Sequence, residues 1–348
     1  MRDLFNHNFP KIEFKRDKPI KIFEAFAGIG CQRMALNRIV GEDNVISLGI
    51  SEIDEFALRS YKAIQGDLHN YGDITKIKGE DLPKEIDIFT WSFPCQDLSI
   101  SGKQKGLKNT RSGLGFEVIR ILKEMNKEYR PKVLLMENVP PLITNTKFRD
   151  GWETMKKEIE DLGYTNYIYI LNSKDYGVAQ RRERVFMVSL LGNKFYQFPK
   201  PIELNKSIKD YLEKDVDEWF YLSQKSGERN LKQKLADHYI DKGLIEEHNI
   251  IKHSFSKNRK NSEKIDATDG IMITLTTRPD TLGVAENHTG RLRIRKLTPR
   301  EAWRFMGIED KYFDRANKVN SNAQLYKQAG NGIVVDVLEH IFNNMFEE

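Results

Sequence analysis

Residues 20–50 read IKIFEAFAGIGCQRMALNRIVGEDNVISLGI. A short apolar run, Ile20 to Phe26, has the character of a strand. The turn Ala27-Gly28-Ile29-Gly30 follows, then a helical stretch from Gln32 to Val40 and a second strand from Val45 to Ile50. Glycines in a turn between strand and helix let the backbone approach a ligand closely, and the helix start offers unpaired amides. Arg33 stands where the third glycine of a dinucleotide fingerprint would fall, so a plain tight turn and a nucleotide-type cradle both fit this stretch alone. Glu52, an acid just past the second strand, lies where a carboxylate can hold the two hydroxyls of a ribose. Asp73, in Gly72-Asp73-Ile74, is placed to meet a base amine.

The same alternation continues through residue 195. Strands are expected at Ile86 to Phe93, Lys132 to Met136, Tyr164 to Leu171 and Arg184 to Leu191, with helical spacing at Phe116 to Met125. This pattern predicts an α/β domain with a mostly parallel sheet. Beyond Phe198-Pro199-Lys200-Pro201 the chain turns polar and irregular, and 196–290 reads as a separate, variable region. Thr298-Pro299 opens a helix that runs to Met306, with threonine as cap and proline in the first turn. Gly332 to Phe346 reads as an amphipathic helix.

The chain has 348 residues, 39% hydrophobic and 31% charged, which suits a large domain with a smaller companion. It contains no run of 18 apolar residues that would span a bilayer, and Met1 to Phe14 lacks the apolar stretch of a signal peptide. Two cysteines, Cys31 and Cys95, argue against a disulfide framework and for a reducing cytoplasm. The net charge of +5 fits a polyanionic partner. Two basic stretches without acids carry more weight: Lys103, Lys105, Lys108 and Arg111, and Arg291, Arg293, Arg295, Lys296 and Arg300. Either also reads as solvated surface.

Cys31, at a helix start, reads as a small buried residue. Cys95 differs: it follows an apolar strand and Phe93-Pro94, and precedes Gln96, Asp97 and Ser99 and a loop with Gly102, Gly106 and Gly113. A thiol at the base of a basic, glycine-containing loop suits a nucleophile facing a polyanion. Glu137 ends the apolar run Val133-Leu134-Leu135-Met136. Partial burial there would raise its pKa and suit proton exchange, although an ordinary strand-end ion pair fits equally. Arg182 and Arg184, two apart before a strand, are expected on one side, available to a carbonyl oxygen or a phosphate or simply solvated. Gly28, Glu52, Cys95 and Glu137 all fall just past the carboxyl ends of expected parallel strands, the rim where open α/β sheets bind ligands.

Taken in order, these segments resemble the DNA cytosine-5 methyltransferases of bacterial and phage type. The resemblance rests on Phe23 to Gly30, Ser92-Phe93-Pro94-Cys95-Gln96, Glu137-Asn138-Val139, Gln180-Arg181-Arg182-Glu183-Arg184, Arg295 to Ala302 and Gln328-Ala329-Gly330-Asn331-Gly332. It covers nearly the whole chain outside 196–290. The fold it implies is a Rossmann-like S-adenosylmethionine-dependent methyltransferase with a smaller, irregular target-recognition domain. The domains are a catalytic one at 1–195 completed by 328–348, recognition at 196–290, and a connecting hinge at 291–327.

The roles implied follow position by position. Cys95 is the thiolate that adds to cytosine C6, Glu137 contacts N3 and the exocyclic amine, and Arg182 and Arg184 shape the pocket, Arg184 near O2. Phe26, Gly28, Gly30, Glu52, Asp73 and Leu114 line the S-adenosylmethionine site, which Asn331 closes. Phe93, Pro94, Gln96, Ser101, Lys103, Lys105, Asn138, Gln180, Thr274 and Leu275 fall on the DNA side, with Thr274-Leu275 resembling a recognition element or forming an ordinary strand. Three departures stand out: Ala179 in place of a frequent proline, Gly332 in place of a frequent serine, and Ile53 where an aromatic residue often stacks on adenine.

The implied partner is double-stranded DNA, with a cognate restriction endonuclease acting separately, a monomeric state and no membrane. No metal is expected, since no His/Cys ligand spacing occurs, and none of the seven histidines sits in a hydrolase motif. A transfer-RNA cytosine methyltransferase shares these motifs, but a sizeable variable region favours duplex DNA. A catalytically silent DNA-binding module would be expected to lack at least one of Cys95, Glu137 and Arg184.

Overall fold

The computed structural model describes residues 9–94, 111–221, 248–252, 264–265, 270–277, 282–288 and 291–347. Two compact units divide the chain. The first comprises Met1–Asn172, Glu183–Pro201 and Val335–Glu348; the second comprises Ser173–Arg182 and Ile202–Val334.

The first unit is built on a six-stranded sheet of order β2-β1-β3-β4-β6-β5. Its strands are β1 (Ile20–Ala25), β2 (Val45–Ser51), β3 (Ile88–Trp91), β4 (Val133–Asn138), β5 (Tyr164–Asn172) and β6 (Glu183–Leu191). β1 pairs in parallel with both β2 and β3, and β3 with β4, whereas β6 runs antiparallel to β4 and β5. The central strands β3 and β4 are buried at every position, because helices cover both faces and no polar alternation is needed. β5, at the sheet edge, is mostly half-buried.

Helices α1 (Cys31–Val40), α2 (Glu55–Gln65), α3 (Gly115–Glu124), α4 (Pro141–Thr144) and α5 (Arg149–Asp161) connect the strands. The start of α2 is fixed by Asp54, whose carboxylate accepts from the Phe56 and Ala57 amides at 3.0 and 3.2 Å. α3 turns Val118, Ile119, Ile121 and Leu122 into a core that also holds Phe23, Phe89, Trp91 and Met136. The C-terminal helix Val335–Asn343 belongs to this unit. Arg38 of α1 pairs with Asp336 and Glu339, and the Tyr196 hydroxyl donates to the Ile341 carbonyl at 2.9 Å. The strands expected from the sequence are all present; the strong antiparallel pairing of β6 to β4 is the feature the alternation did not announce.

In the second unit the region that reads as irregular supplies three strands of an antiparallel four-stranded sheet, and the fourth follows directly after it. Its strands are β7 (His248–Lys252), β8 (Lys264–Ile265), β9 (Leu282–His288) and β10 (Arg291–Lys296), in the order β10-β9-β7-β8. Helices α6 (Pro299–Arg304), α7 (Asp310–Asn317) and α8 (Asn322–Asn331) follow. Thr298 caps α6 in a reciprocal box with Glu301, as Thr-Pro-x-Glu dictates. Trp303 is the centre of this unit's helical core, its indole N–H donating to the Leu325 carbonyl at 2.9 Å and its ring meeting Phe313 edge-on.

One expectation is corrected here. The basic stretch 291–300 is not a uniformly available phosphate surface. Arg295 is fully buried and pairs with Glu301 at 2.7 Å, and Arg300 pairs with Glu213, Asp310 and Asp314. The acids that neutralise them come from other segments, so the run itself, free of acids, misleads.

Candidate active site

In the first unit, β1 sends its neighbours β2 and β3 to opposite sides. This is the switch point at which open α/β sheets leave a crevice beyond the strand ends. Past the end of β1 the backbone turns through three left-handed residues, Phe26 (φ 57°), Gly28 (φ 57°) and Gly30 (φ 81°). Gly30 has a second reason to be glycine: a Cβ there would lie 2.8 Å from the Tyr61 ring. α1 then starts at Gly30 with no side-chain cap and no acid in its first turn.

Glu52 stands just past β2. Its Oε2 accepts from the Gly28 amide at 2.8 Å, and its Oε1 from the Ile53 and Asp54 amides at 2.9 and 2.7 Å. Burial pushes this carboxyl upward, and those three amides pull it back. Asp73 accepts through Oδ1 from the Thr75 amide and hydroxyl, bonds that hold its carboxyl below the usual range. It is therefore an ionised acceptor. Phe26 and Leu114, both half-buried, pack against the sheet's core. Ile53 is 72% exposed, so the departure at this position leaves an aliphatic surface where an aromatic one was expected.

The sequence did not single out Glu24, which lies inside β1 and is fully buried. Its carboxylate accepts from the Tyr61 hydroxyl, and Arg33, in the first turn of α1, faces it. Burial raises its carboxyl to about 7. The signal available was an acid in an otherwise apolar central strand.

At the end of β3, Phe93 is buried, and its carbonyl accepts from the Asn138 side chain at 3.1 Å. This bond fixes the backbone entering Pro94 against the end of β4. Ser92 Oγ beside it is buried with no hydrogen-bond partner among the described residues. Glu137, 9% exposed, receives the Arg184 guanidinium, Nε to Oε1 3.1 Å. Register explains the meeting. Antiparallel pairing sets Glu137 against Phe186 and Asn138 against Val185, so β6 begins where β4 ends. Glu137 is thus both buried at the strand end and ion-paired, features that the two readings of it drew on separately. Cys95, Gln96, Ser101, Lys103 and Lys105 lie outside the described residues, as do Asp97, Ser99 and Lys108.

Arg182 does not share the environment of Arg184. It precedes β6, belongs to the second unit, and donates to the carbonyls of Leu275, Gly330 and Gly332 at 2.9 Å each. The two arginines thus meet different partners, although they stand only two positions apart. Gln180, fully buried, accepts from the Leu275 amide at 3.0 Å and donates to the Phe305 carbonyl at 2.6 Å. Thr274 donates to the Arg181 carbonyl at 2.5 Å, and Gly330 leaves no room for a Cβ, which would fall 2.3 Å from the Thr276 carbonyl oxygen. The 271–277 segment is thus clasped rather than being part of a sheet strand.

The departure at 179 acquires a reason. The Ala179 N–H donates to the Tyr211 hydroxyl at 3.1 Å, a bond proline cannot make. Asn331, the exposed last residue of α8, and Gly332, whose carbonyl Arg182 holds, both lie in the second unit.

Among the described residues, no cluster of three His, Cys, Asp or Glu could hold a metal, and no helix is long and apolar enough to cross a membrane.

Comparison with solved structures shows the fold to be one found in two methyltransferases. The methyltransferase EhMeth of Entamoeba histolytica superposes with a TM-score of 0.70 at 17% identity, covering 94% of this chain and 98% of that one. The S. pombe Dnmt2 methyltransferase gives 0.66 at 19% identity, covering 93% and 97%. The family model for C-5 cytosine-specific DNA methylases matches residues 20–347, and the chain belongs to that family. Type II methyltransferase M2.ScrFI of Lactococcus lactis subsp. cremoris is 35% identical over 94% of this chain and 99% of its own length. M.HhaI of Haemophilus parahaemolyticus is 33% identical over 96% and 97%, and the orphan methyltransferase M.SssI of Spiroplasma monobiae is 30% identical over 96% and 99%. The protein is an enzyme, a DNA (cytosine-5-)-methyltransferase.

Proposed function

We propose that the enzyme methylates one cytosine within a short duplex sequence, using S-adenosylmethionine and a transient covalent bond from Cys95 to cytosine C6. The observation that carries this reading is the Glu137–Arg184 pair at the end of β4, beside the anchored Phe93-Pro94 that leads directly into Cys95. Carbon 5 of cytosine is a poor nucleophile. Addition of the Cys95 thiolate at C6 moves electron density to C5, and Glu137 at N3 and the exocyclic amine stabilises the charge that develops in the ring. Arg184 orients that carboxylate and faces O2. Loss of the C5 proton then re-forms the ring double bond and expels Cys95. The base leaves the helix to reach these groups, at a cost of about a few kcal/mol recovered in pocket contacts.

The residues at the sheet rim fit S-adenosylmethionine. Phe26, Gly28 and Gly30 form a left-handed cradle at an uncapped helix start, Glu52 offers acceptors for ribose hydroxyls, and Asp73 is an ionised acceptor for an amine. Leu114 adds apolar surface, and the resemblance assigns Asn331 to the same cofactor. When bound, that cofactor supplies the electrophilic methyl group that C5 attacks.

The region 196–290 supplies target recognition, with Thr274-Leu275 as the element that reads the site. Gln180 and Arg182, through their bonds to that segment, serve recognition rather than the cytosine itself. The protein works as a cytoplasmic monomer on double-stranded DNA, paired with a separately acting restriction endonuclease. The test is transfer of labelled methyl to mixed-sequence duplex DNA, followed by bisulfite sequencing. Protection confined to one short motif is the expected result, and Cys95→Ala is expected to abolish it while retaining donor binding. Normal turnover by that variant would overturn the mechanism; incorporation into transfer RNA in preference to the duplex would overturn the substrate.

A further inference from the structure

Ser51 is the last residue of β2 that pairs with β1, so Glu52 has already left the ladder. Its backbone is held from the other side. Residues 69–72 run along the outer edge of β2: the Ile50 amide donates to the His69 carbonyl at 3.0 Å and the Tyr71 amide to the Ile50 carbonyl at 2.8 Å. The Ser51 hydroxyl donates to the Gly72 carbonyl at 2.7 Å. At the centre is Asn70. Its Oδ1 accepts from the Glu52 amide at 3.1 Å, and its Nδ2 donates to the Glu52 carbonyl at 2.9 Å. The same Oδ1 accepts from the Gly72 amide at 3.0 Å, one residue before Asp73.

One side-chain amide therefore grips both backbone groups of Glu52 and ties them to the residue that presents Asp73. A carboxylate of the same length would keep the acceptor, lose the donor and place a second negative charge near Glu52. An aliphatic side chain would lose all three bonds.

We propose that Asn70 is a positioning residue for the methyl donor's nucleoside, setting the spacing between the Glu52 carboxylate on the ribose and the Asp73 carboxylate on the base. This rests on the roles proposed above for those two acids. Asn70 touches neither the donor nor the cytosine; it acts through the two carboxylates.

The experiment measures binding of S-adenosylhomocysteine and of its 2′-deoxy analogue to the full-length enzyme and to Asn70→Leu, Asn70→Asp and Glu52→Gln. The wild-type enzyme is expected to prefer the ribose form. Asn70→Leu is expected to lose about tenfold on S-adenosylhomocysteine, as for about one well-made interaction, and much less on the deoxy analogue, so the preference shrinks. In turnover, its KM for the donor rises while kcat at saturating donor is retained. Asn70→Asp weakens binding near neutrality, and its deficit relative to the wild type at the same pH, a ratio that cancels the titration of Glu52 and Asp73 common to both, narrows as pH falls through the carboxylate range. It also carries the test should Asn70→Leu fail to fold. Equal losses on both ligands, with no narrowing of the Asn70→Asp deficit, would overturn the proposal. A Glu52→Gln enzyme that keeps the wild-type preference would instead overturn the ribose role of Glu52, and the proposal with it.

Discussion

Replacing Glu24 by glutamine isolates a single buried titration. Glu24 is wholly buried in β1, and the groups that face it are the Tyr61 hydroxyl at 2.5 Å, the Arg33 side chain and the Arg33 amide. Burial raises its carboxyl from 4.5 to about 7 against the opposing pull of those partners. Between these two values the folded protein keeps a proton that the unfolded chain has released. Stability from this group is therefore fully present below about 4.5, falls as pH rises, and levels off above about 7. The displacement corresponds to roughly 3 kcal/mol. Glutamine has the same shape, can accept the Tyr61 hydrogen bond and does not ionise. Glu24→Gln should match the wild type near pH 4.5 and exceed it by roughly 3 kcal/mol at pH 8. In thermal melts this is a gap of roughly 6–12 °C at pH 8, taking about 2–4 °C per kcal/mol for a domain of roughly 150–250 residues. Subtracting the two curves cancels every other titrating group. A gap that stays constant from pH 4.5 to 8, or a variant less stable throughout, would refute the reasoning and mean that Arg33 holds Glu24 ionised.

Gly330→Ala drives a Cβ to 2.3 Å from the Thr276 carbonyl oxygen, so the 271–277 segment must shift. Overpacking of this kind costs about 1–3 kcal/mol, and bisulfite sequencing should show reduced or altered site choice while calorimetry shows donor binding retained. Arg295→Ala leaves the fully buried Glu301 carboxylate without its guanidinium; urea unfolding should register a loss of about 3–5 kcal/mol. Cys95→Ala should show no labelled methyl transfer to duplex DNA while retaining the wild-type melting profile, whatever pH is chosen.

The sheet was legible because its inner strands are predominantly apolar runs between turn signals: Ile20 to Ala25, Ile88 to Trp91 and Val133 to Met136 leave little else for these residues to form. The rim was legible for the same reason, since residues that follow such runs fall at strand ends whatever the loops do. The second unit was less so. Its strands are polar, and β10 reads as a charge cluster because Arg291, Arg293 and Arg295 alternate with Leu292, Ile294 and Lys296. The burial of Arg295 depends on Glu301, six residues on and placed by a capping box, which no local charge count reveals. Glu24 escaped notice because an acid in a buried strand contradicts the pattern used to find the strand. Its partners, Tyr61 and Arg33, lie on two different helices.

The five residues Gln180 to Arg184 show why a motif can be recognised without its division of labour being read. The boundary between the two units falls inside it, after Arg182. On one side, Gln180 and Arg182 spend their donors and acceptors on backbone groups of Leu275, Phe305, Gly330 and Gly332. On the other, Arg184 in β6 turns to the carboxylate of Glu137. Two arginines one residue apart from each other's neighbour thus differ in kind. Arg182 donates to three backbone carbonyls, whereas Arg184 orients a charge beside the strand end that leads to Cys95. A lysine could keep the charge at 184 but loses the planar fork; at 182 it cannot span three carbonyls in two directions at all. On the proposed roles, bisulfite sequencing should show altered site choice for Arg182→Lys, through the 271–277 segment, and single-turnover methyl transfer should show a slower chemical step for Arg184→Lys, which would separate specificity from catalysis within one short stretch of sequence.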